Sequence, residues 1–370
     1  MTEQDFTPKS YTSNVESGSV KWESPSNIAL VKYWGKRESQ IPENPSISFT
    51  LSNCKTTTEV TYTKKEGTDF SFDVIFEGEK NAAFKPKIQT FFERVEGYLP
   101  FLRDYHFKIE TSNTFPHSSG IASSASGMSA LALCLMSIEE QLTKNVIQSE
   151  SEEFQNFNSD FFNKKTSFLA RLGSGSACRS IEGELVVWGE TKSISDSSDL
   201  FGVKFTENIH SNFQNYQDAI LLVDKGEKQV SSTVGHKLMY GHPFASKRFE
   251  QAHENLAELK EVLMNGNQKR FIEIVESEAL TLHAMMMTSM PYFILMKPNT
   301  LQIINKIWEF RQSTGSNICF TLDAGANVHV LFPKAEQEKV YEFIKSELVA
   351  YCQNGHYICD TVGKGAKKLA

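Results

Sequence analysis

The sequence lacks the patterns that mark several common classes of protein. Its six cysteines include no C-x-x-C pair and no zinc-finger spacing, which argues against a disulfide framework or a structural zinc site. No apolar run approaches the length that crosses a membrane, and the polar, acidic start is unlike a signal or transit peptide. We therefore expect a cytoplasmic protein with reduced thiols.

Positive charge is also in short supply. Lys and Arg number 38 against 45 Asp and Glu, and the net charge of -7 argues against a general surface for nucleic acids or anionic membranes. Any basic site for an anion must therefore be local. The 370 residues, of which 40% are hydrophobic, suffice for two domains with ordinary cores.

The most distinctive stretch is a Ser/Gly loop, Pro116–Gly127, followed at once by the apolar helix former Met128–Met136. Small residues let backbone N–H groups approach an anion, and a helix N-terminus adds unsatisfied donors. The loop lacks the Lys-Ser/Thr ending of a Walker loop and the spaced glycines of a dinucleotide fingerprint. It is either a polyphosphate cradle or a loop that only caps a buried helix.

Two further segments suit an anionic ligand. The set Lys32–Arg37 (Lys-Tyr-Trp-Gly-Lys-Arg) combines cations and aromatics, and its alternative is an amphipathic segment with snorkelling lysines. The second Gly/Ser loop, Gly173–Ser180, carries Arg179, whose planar fork suits a carboxylate or phosphate. Its alternative is a tight turn with a surface arginine. Two Gly/Ser loops in one chain favour an anionic ligand.

Asp323 is the candidate acidic residue. It opens the short turn Asp323–Asn327, which two apolar strands enclose within Ile318–Phe332. The side chain is either a carboxylate at the edge of a cleft or the commoner turn-stabilising aspartate.

The remaining periodicities predict alternating strands and amphipathic helices in two domains, 1–214 and 215–370, with residues 1–20 as a loose arm. Thr56–Thr63 and Asp69–Phe76 alternate, which predicts an antiparallel meander. The predicted helices are Pro86–Tyr98, Ser246–Met264, Gln268–Met285, Thr300–Phe310 and Lys339–Val349. Residues 139–165 form either a helix pair or a mobile excursion.

Four motifs in register resemble the diphosphomevalonate decarboxylase family of the GHMP kinase superfamily. They are Lys32–Lys36 after Asn27-Ile-Ala, Gly120–Ser124 (Gly-Ile-Ala-Ser-Ser), Gly173–Ser180 and Leu322–Asn327 (Leu-Asp-Ala-Gly-Ala-Asn). The resemblance extends from about Trp22 to about Val362. It implies an α+β fold of the GHMP kinase type. The N-terminal domain is expected to be like domain 2 of ribosomal protein S5, the C-terminal domain ferredoxin-like, and the active site in the cleft between them.

The resemblance also implies a reaction in the mevalonate pathway of isoprenoid biosynthesis. The reaction is the ATP-dependent decarboxylation of mevalonate 5-diphosphate to isopentenyl diphosphate, with ADP, phosphate and CO2 released. The implied cofactors are ATP and Mg²⁺, the ion being bound mostly through phosphates rather than by a protein cage. A homodimer is a family expectation.

By position, the resemblance assigns roles to residues of this chain. Asp323 corresponds to the aspartate that orients or deprotonates the 3-hydroxyl, Arg179 to the arginine that holds the substrate carboxylate, and Lys32 to the lysine near the reacting phosphate. The substrate-binding positions are Tyr33, Lys36, Ser174, Ser176 and Lys237, and the ATP-binding positions are Ser119, Gly120, Ser123 and Ser124.

Some positions depart from the family pattern. His117 stands where the family has threonine, Asp73 and Lys237 stand where it has arginines, and residues 144–165 resemble an insertion. The open alternatives are a decarboxylase or 3-kinase acting on a mevalonate monophosphate or bisphosphate, and a non-catalytic binding protein with the same fold.

Overall fold

The computed structural model of the chain describes residues 1–8, 10–11, 14–116, 121–143, 152–226 and 232–369. Its strands are β1 (Ser17–Val31), β2 (Ser46–Lys64), β3 (Ser71–Phe76), β4 (Glu79–Lys80), β5 (Tyr105–Asn113), β6 (Leu185–Trp188), β7 (Val203–Lys204), β8 (Gln217–Leu221), β9 (Cys319–Thr321), β10 (Val328–Phe332), β11 (Tyr357–Thr361) and β12 (Lys367–Leu369). Its helices are α1 (Lys85–Val95), α2 (Ser123–Thr143), α3 (Glu152–Gly173), α4 (Ser232–Lys237), α5 (Ala245–Asn265), α6 (Gln268–Met287), α7 (Pro298–Thr314) and α8 (Gln337–Phe343). Within these described ranges, no helix combines the length and the apolar character needed to cross a lipid bilayer.

The larger sheet carries the N-terminal half of the chain. Its order is β12-β1-β2-β5-β3-β4, and β6 joins it through β2 and continues to β7. The core-facing side chains of β2 alternate with half-buried ones from Cys54 to Tyr62, as the period of a strand with one buried face requires. Helix α2 lies against this sheet, and α3 packs against α2.

The pairing of β3 corrects one sequence prediction. β1, β2 and β5 pair antiparallel, as the alternating pattern predicts, but β3 runs parallel to β5. A parallel pair needs a crossover connection, and α1 with its flanking turns provides one between β3 and β5. Residues 71–76 therefore extend the sheet beyond β5 and are not part of an antiparallel meander.

Helix α2 packs closely on the sheet because its contact residues are small. Ser126 and Ser129 are fully buried, and their hydroxyl oxygens lie 2.6 Å from those of Thr56 in β2 and Ser24 in β1. The helix is apolar on nearly all sides, which is typical of a helix covered on both faces. This packing fixes where the helix begins.

The smaller sheet has the order β11-β8-β10-β9, and all of its neighbouring strands are antiparallel. Counted along the chain from β8, this is the order 4-1-3-2 of a ferredoxin-like domain, with α4, α5, α6 and α7 between the first and second strands and α8 between the third and fourth. Strand β8 begins at Gln217, close to the predicted start of the second domain at residue 215. The fold is therefore α+β in two parts.

Both ends of the chain correct the predicted domain description. Phe6 is fully buried and its ring stacks on Phe168 at a centroid distance of 4.6 Å, so the first residues are not simply a loose arm. Burial of one aromatic ring outweighs the polar composition around it. At the other end, β12 pairs with Lys21–Glu23 of β1, so the last residues join the sheet of the first domain.

Helix α3 accounts for part of the segment between residues 139 and 165. Residues 144–151 lie outside the described part of the chain, and α3 begins at Glu152. Near the end of that segment, Lys165 donates to both carboxylate oxygens of Glu139 at 2.7 Å, and both side chains are buried. This contact ties α3 to α2.

Two buried acidic groups join the domains. Asp360 of β11 accepts N–H groups of Ser52, Asn53 and Cys54 at 2.7–2.8 Å, where the pairing of β2 with β1 is interrupted. Glu278 of α6 forms a fully buried ion pair with Arg248 of α5. The Glu278 carboxylate also accepts the main-chain N–H of Lys32 at 2.8 Å, and this is the second contact between the domains.

We predict that Glu278→Ala destabilises the protein strongly, because it leaves the Arg248 guanidinium buried without its counter-ion. Removing one partner of a buried ion pair lowers the free energy of unfolding by about 3–5 kcal/mol. The matched control is Glu273→Ala, since Glu273 pairs with Arg270 at the surface and such pairs contribute about 0–1 kcal/mol. Urea denaturation curves of the three proteins measure the effect. Equal midpoints for the two variants would contradict it.

Candidate active site

A cavity of about 810 Å³ lies at the junction of the two domains. It collects side chains from the end of β1, the start of α2, the turn after α3 and the turn between β9 and β10. Nine of the residues predicted from sequence line its wall: Lys32, Tyr33, Lys36, Ser123, Ser124, Ser174, Ser176, Arg179 and Asp323. Segments far apart in the sequence thus meet in one cavity.

The remaining predicted residues are not among those that line the described wall. Lys237, the last residue of α4, is exposed and is not part of the described cavity wall. Its charge nevertheless acts on Lys36. Ser119 and Gly120 lie outside the described residues, as does His117. Asp73 also lies outside the wall, and it pairs with Lys85 at 3.6 Å on the surface.

Lys32 and Asp323 form an ion pair in the cavity wall, with the ammonium nitrogen 3.0 Å from Oδ1 of the carboxylate. Lys32 is the first residue after β1, and its side chain is only 2% exposed. The pKa of Lys32 is lowered overall, because the effect of burial exceeds the opposite effect of the negative charges of Asp323 and Glu278. The carboxylate of Asp323 therefore faces the cavity and does more than stabilise its own turn.

The main chain of Lys32 is fixed by side chains because β1 has ended. Glu278 accepts its N–H at 2.8 Å, and its carbonyl accepts from Arg248 at 3.1 Å and from Asn44 at 2.9 Å. The carboxylate of Glu278 also accepts from Asn255 at 2.6 Å. Three side chains thus fix the main chain of Lys32 at the cavity wall.

His283 supports Asp323 from α6. Its Nε2 lies 3.1 Å from the Asp323 carbonyl oxygen. Burial is the main cause that lowers the pKa of His283 to about 4, so the ring is neutral near pH 7 and donates this hydrogen bond from Nε2. The turn that carries Asp323 is therefore anchored to the same helix that holds Lys32.

Arg179 is a buried cation and not a surface arginine. It is 3% exposed, and its Nη1 donates to the Ser46 hydroxyl at 2.6 Å. Within the described part of the chain, its Nε is buried without a hydrogen-bond partner. The indole of Trp188 lies 5.7 Å from the guanidinium carbon. An unpaired donor on a buried cation is suited to an anionic ligand, since leaving it unsatisfied is costly.

Tyr33 and Lys36 form the adjoining part of the wall. The Tyr33 hydroxyl is buried, and it too has no partner among the described residues. The pKa of Lys36 is lowered to about 8, first by burial and then by the positive charges of Arg94 and Lys237. Repulsion of this kind is relieved when a multiply charged anion binds.

The two Ser/Gly loops meet at this site. Ser123 and Ser124 begin α2, and the hydroxyl of Ser124 lies 3.4 Å from that of Ser174 in the second loop. Both hydroxyls lie in the first turn of this 21-residue helix, where the helix dipole favours an anion. Both loops therefore border one ligand space.

Sequence reasoning missed several residues of the site. Arg94 and Lys87 of α1 and His236 of α4 line the cavity, and an apolar part of its wall includes Phe76 and Phe84, whose rings are 5.2 Å apart. In the sequence, Arg94 and Lys87 are simply polar residues of an amphipathic helix, and this pattern does not indicate that they line a ligand site. Their placement follows from the crossover between β3 and β5.

Comparisons with known proteins identify relatives for both parts of the chain. Residues 24–199 match the family described as the diphosphomevalonate decarboxylase-like N-terminal domain, and residues 219–367 match the mevalonate 5-diphosphate decarboxylase C-terminal domain. The diphosphomevalonate decarboxylase of Saccharomyces cerevisiae is 28% identical over 342 residues, which cover 87% of this chain and 79% of the relative.

Solved structures give the same result. Mevalonate diphosphate decarboxylase from Staphylococcus aureus is 28% identical with a TM-score of 0.79, and the match covers 96% of this chain and 98% of that one. MDDEF, solved in complex with MVAPP, AMPPCP and magnesium, is 29% identical with a TM-score of 0.77, and the match covers 95% and 99%. This chain therefore belongs to the diphosphomevalonate decarboxylase family, within the GHMP kinase superfamily.

Proposed function

We propose that the protein is an enzyme that converts mevalonate 5-diphosphate and ATP into isopentenyl diphosphate, ADP, phosphate and CO2. The observation that carries this proposal is the meeting of Lys32, Asp323 and Arg179 in one cavity. A carboxylate, an ammonium and a buried guanidinium are the groups needed to activate an alcohol, neutralise a transferring phosphate and hold a carboxylate.

Asp323 and Lys32 act at the 3-hydroxyl of the substrate. Asp323 accepts the proton of this tertiary alcohol as the alcohol oxygen bonds to the γ-phosphorus of ATP and the bond from that phosphorus to the leaving ADP breaks. Lys32, 3.0 Å away, keeps the carboxylate charged before the step and offsets negative charge on the phosphate during it. Phosphorylation turns a poor leaving group into a good one.

Arg179 acts at the other end of the reacting unit. Its planar guanidinium, whose Nε has no partner among the described residues and whose Nη1 is fixed by Ser46, is the proposed donor group for the substrate carboxylate. As the 3-phosphate departs, positive charge develops at C3, and the bond between C2 and the carboxylate supplies the electrons of the new alkene. The carboxylate carbon leaves as CO2, and the cation that held it releases a neutral molecule.

The 5-diphosphate is assigned to the part of the wall beside Lys36. Lys36, the Tyr33 hydroxyl and the hydroxyls of Ser174 and Ser176 are its proposed donors. Lys237 adds positive charge from outside the wall, because it acts on Lys36 without lining the cavity. A diphosphate suits this arrangement because it carries enough negative charge to offset several cations.

ATP is assigned to the first loop and the apolar part of the wall. Ser123 and Ser124, with Ser119 and Gly120 before them, are the proposed phosphate contacts, and Phe76 and Phe84 offer apolar surface for a flat base. Mg²⁺ fits this donor set as an ion carried by phosphate oxygens, since Asp323 is the single carboxylate in the described wall. When bound, the ion would neutralise nucleotide charge. A homodimer and a cytoplasmic location complete the proposal.

The purified protein with ATP, Mg²⁺ and mevalonate 5-diphosphate tests the function directly. We expect ADP and CO2 in equal amounts, and little of either with mevalonate 5-phosphate, because the monophosphate leaves part of the Lys36 region unoccupied. ADP without CO2 would indicate a 3-kinase. Activity confined to the monophosphate or to the 3,5-bisphosphate would mean that Asp73 and Lys237 have redirected the site. Binding without either product would indicate a non-catalytic protein.

We predict that Asp323→Asn lowers kcat by at least about 100-fold, the usual contribution of a general base. ATP affinity should change little, because the amide keeps the size of the side chain. Asp160→Asn is the matched control, since Asp160 lies on the surface of α3 and pairs with Lys164. Steady-state release of ADP and equilibrium binding of ATP measure the two effects. A variant with near-normal turnover would remove Asp323 from the mechanism.

We predict that kcat/KM for the diphosphate falls as pH rises through about 8. The pKa of Lys36 in the folded protein is lowered to about 8, so the ammonium that binds phosphate is present below this pH and lost above it. Lys36→Arg keeps its charge throughout and should move the alkaline limb to higher pH. Profiles of kcat/KM between pH 6 and 10 compare the two proteins. An identical limb in both would assign it to another group.

A further inference from the structure

We propose that His236 is a further substrate-contacting residue, whose Nε2–H donates a hydrogen bond to the phosphate end of the substrate. The proposal rests on the function argued above. Neither the family motifs nor the spacing of the sequence points to this histidine. Its position in the cavity wall is a consequence of the fold.

The protonation of the His236 ring is fixed by the main chain. The N–H of Gly35 donates to Nδ1 at 3.0 Å. A ring nitrogen that accepts a hydrogen bond carries no proton, so a neutral imidazole must carry its hydrogen on Nε2. Burial, followed by the charges of Lys36 and Arg179, lowers the pKa of His236 to about 3, so the ring is neutral near pH 7. Nε2 is therefore a donor.

The ring cannot easily turn away from this orientation. It is 6% exposed, and the rings of Tyr33 and Trp34 lie 4.3 Å and 4.6 Å from it. Within the described ranges, Nε2 has no hydrogen-bond partner in the protein, although the residue lines the cavity. A nearly buried donor that faces a cavity without a partner points to a ligand atom.

The neighbours of His236 define the chemistry of that ligand. Lys36 and Arg179 are close enough to act on its charge, and the Tyr33 hydroxyl beside it is also unpaired in the described structure. This group of donors selects an anion with several acceptor oxygens. A protonated histidine would be repelled by the two cations, whereas a neutral N–H adds a hydrogen bond without adding charge.

Two substitutions separate the ligand contact from the structural role of the ring. His236→Asn places an oxygen near the position of Nδ1, where it can still accept the Gly35 N–H, but it has no distal donor. His236→Gln reaches the position of Nε2 with an amide N–H. We expect the Kd for mevalonate 5-diphosphate, measured by calorimetry without ATP, to rise about 10–100-fold in the asparagine variant, the usual effect of losing a hydrogen bond to a charged group. The glutamine variant should recover most of this loss.

Equal affinities for the two variants, weak or strong, would overturn the proposal, because a purely structural ring gives no reason for glutamine to perform better. Binding without ATP does not depend on turnover. Loss of the proposed function therefore appears in the product assay, and loss of this proposal appears in the calorimetry. Thermal denaturation midpoints of both variants check that they fold.

A measurement on the unsubstituted protein covers the case in which a variant does not fold. In protein labelled with ¹⁵N-histidine, His236 should show a protonated Nε2 and an unprotonated Nδ1 between pH 6 and 8. Its Nε2 resonance should shift on saturation with mevalonate 5-diphosphate. A resonance that stays unchanged, or a ring that is protonated at both nitrogens, would overturn the proposal.

Discussion

The ion pair between Lys32 and Asp323 is the interaction on which the rest of the site depends, because its two members come from different domains. Lys32 is buried and Asp323 is partly exposed, and burying a charge is tolerated only when the pair has good geometry and its other polar groups are hydrogen-bonded. Helix α6 meets both requirements, since Glu278 fixes the main chain of Lys32 and His283 holds the carbonyl of Asp323. The junction between the domains is therefore itself part of the proposed catalytic arrangement.

The cavity wall is positively charged, although the protein as a whole is negatively charged. The chain carries a net charge of -7, yet the described wall holds five cations, Lys32, Lys36, Lys87, Arg94 and Arg179, against the single carboxylate of Asp323. Burial lowers the pKa values of Lys32, Lys36 and Arg179, and the positive charges of Arg94 and Lys237 add to the effect at Lys36. The free site thus carries an excess of positive charge, which the proposed polyanionic ligands would offset.

Local sequence patterns predicted much of the fold. Helices α5, α6 and α7 have strong apolar periodicity, and the structure places them close to the predicted ranges. The parallel pairing of β3 with β5 was missed because alternation indicates a strand but does not identify its partner. The buried position of Phe6 was missed because the polar composition of residues 1–20 hides a single aromatic residue. The side chains that bury its ring lie far away in the sequence.

The sequence by itself determined the family, the α+β organisation and nine residues of the cavity wall, because these reside in short motifs whose residue types and order carry the chemistry. Only the tertiary structure decided which groups meet: that Glu278 and Arg248 hold Lys32, that Arg94 reaches the cavity, and that His236 lines it while accepting the Gly35 N–H. The physical reason is that such contacts depend on the packing of elements far apart in the chain. Burial then fixes the charge and orientation of each group, and no local pattern records this.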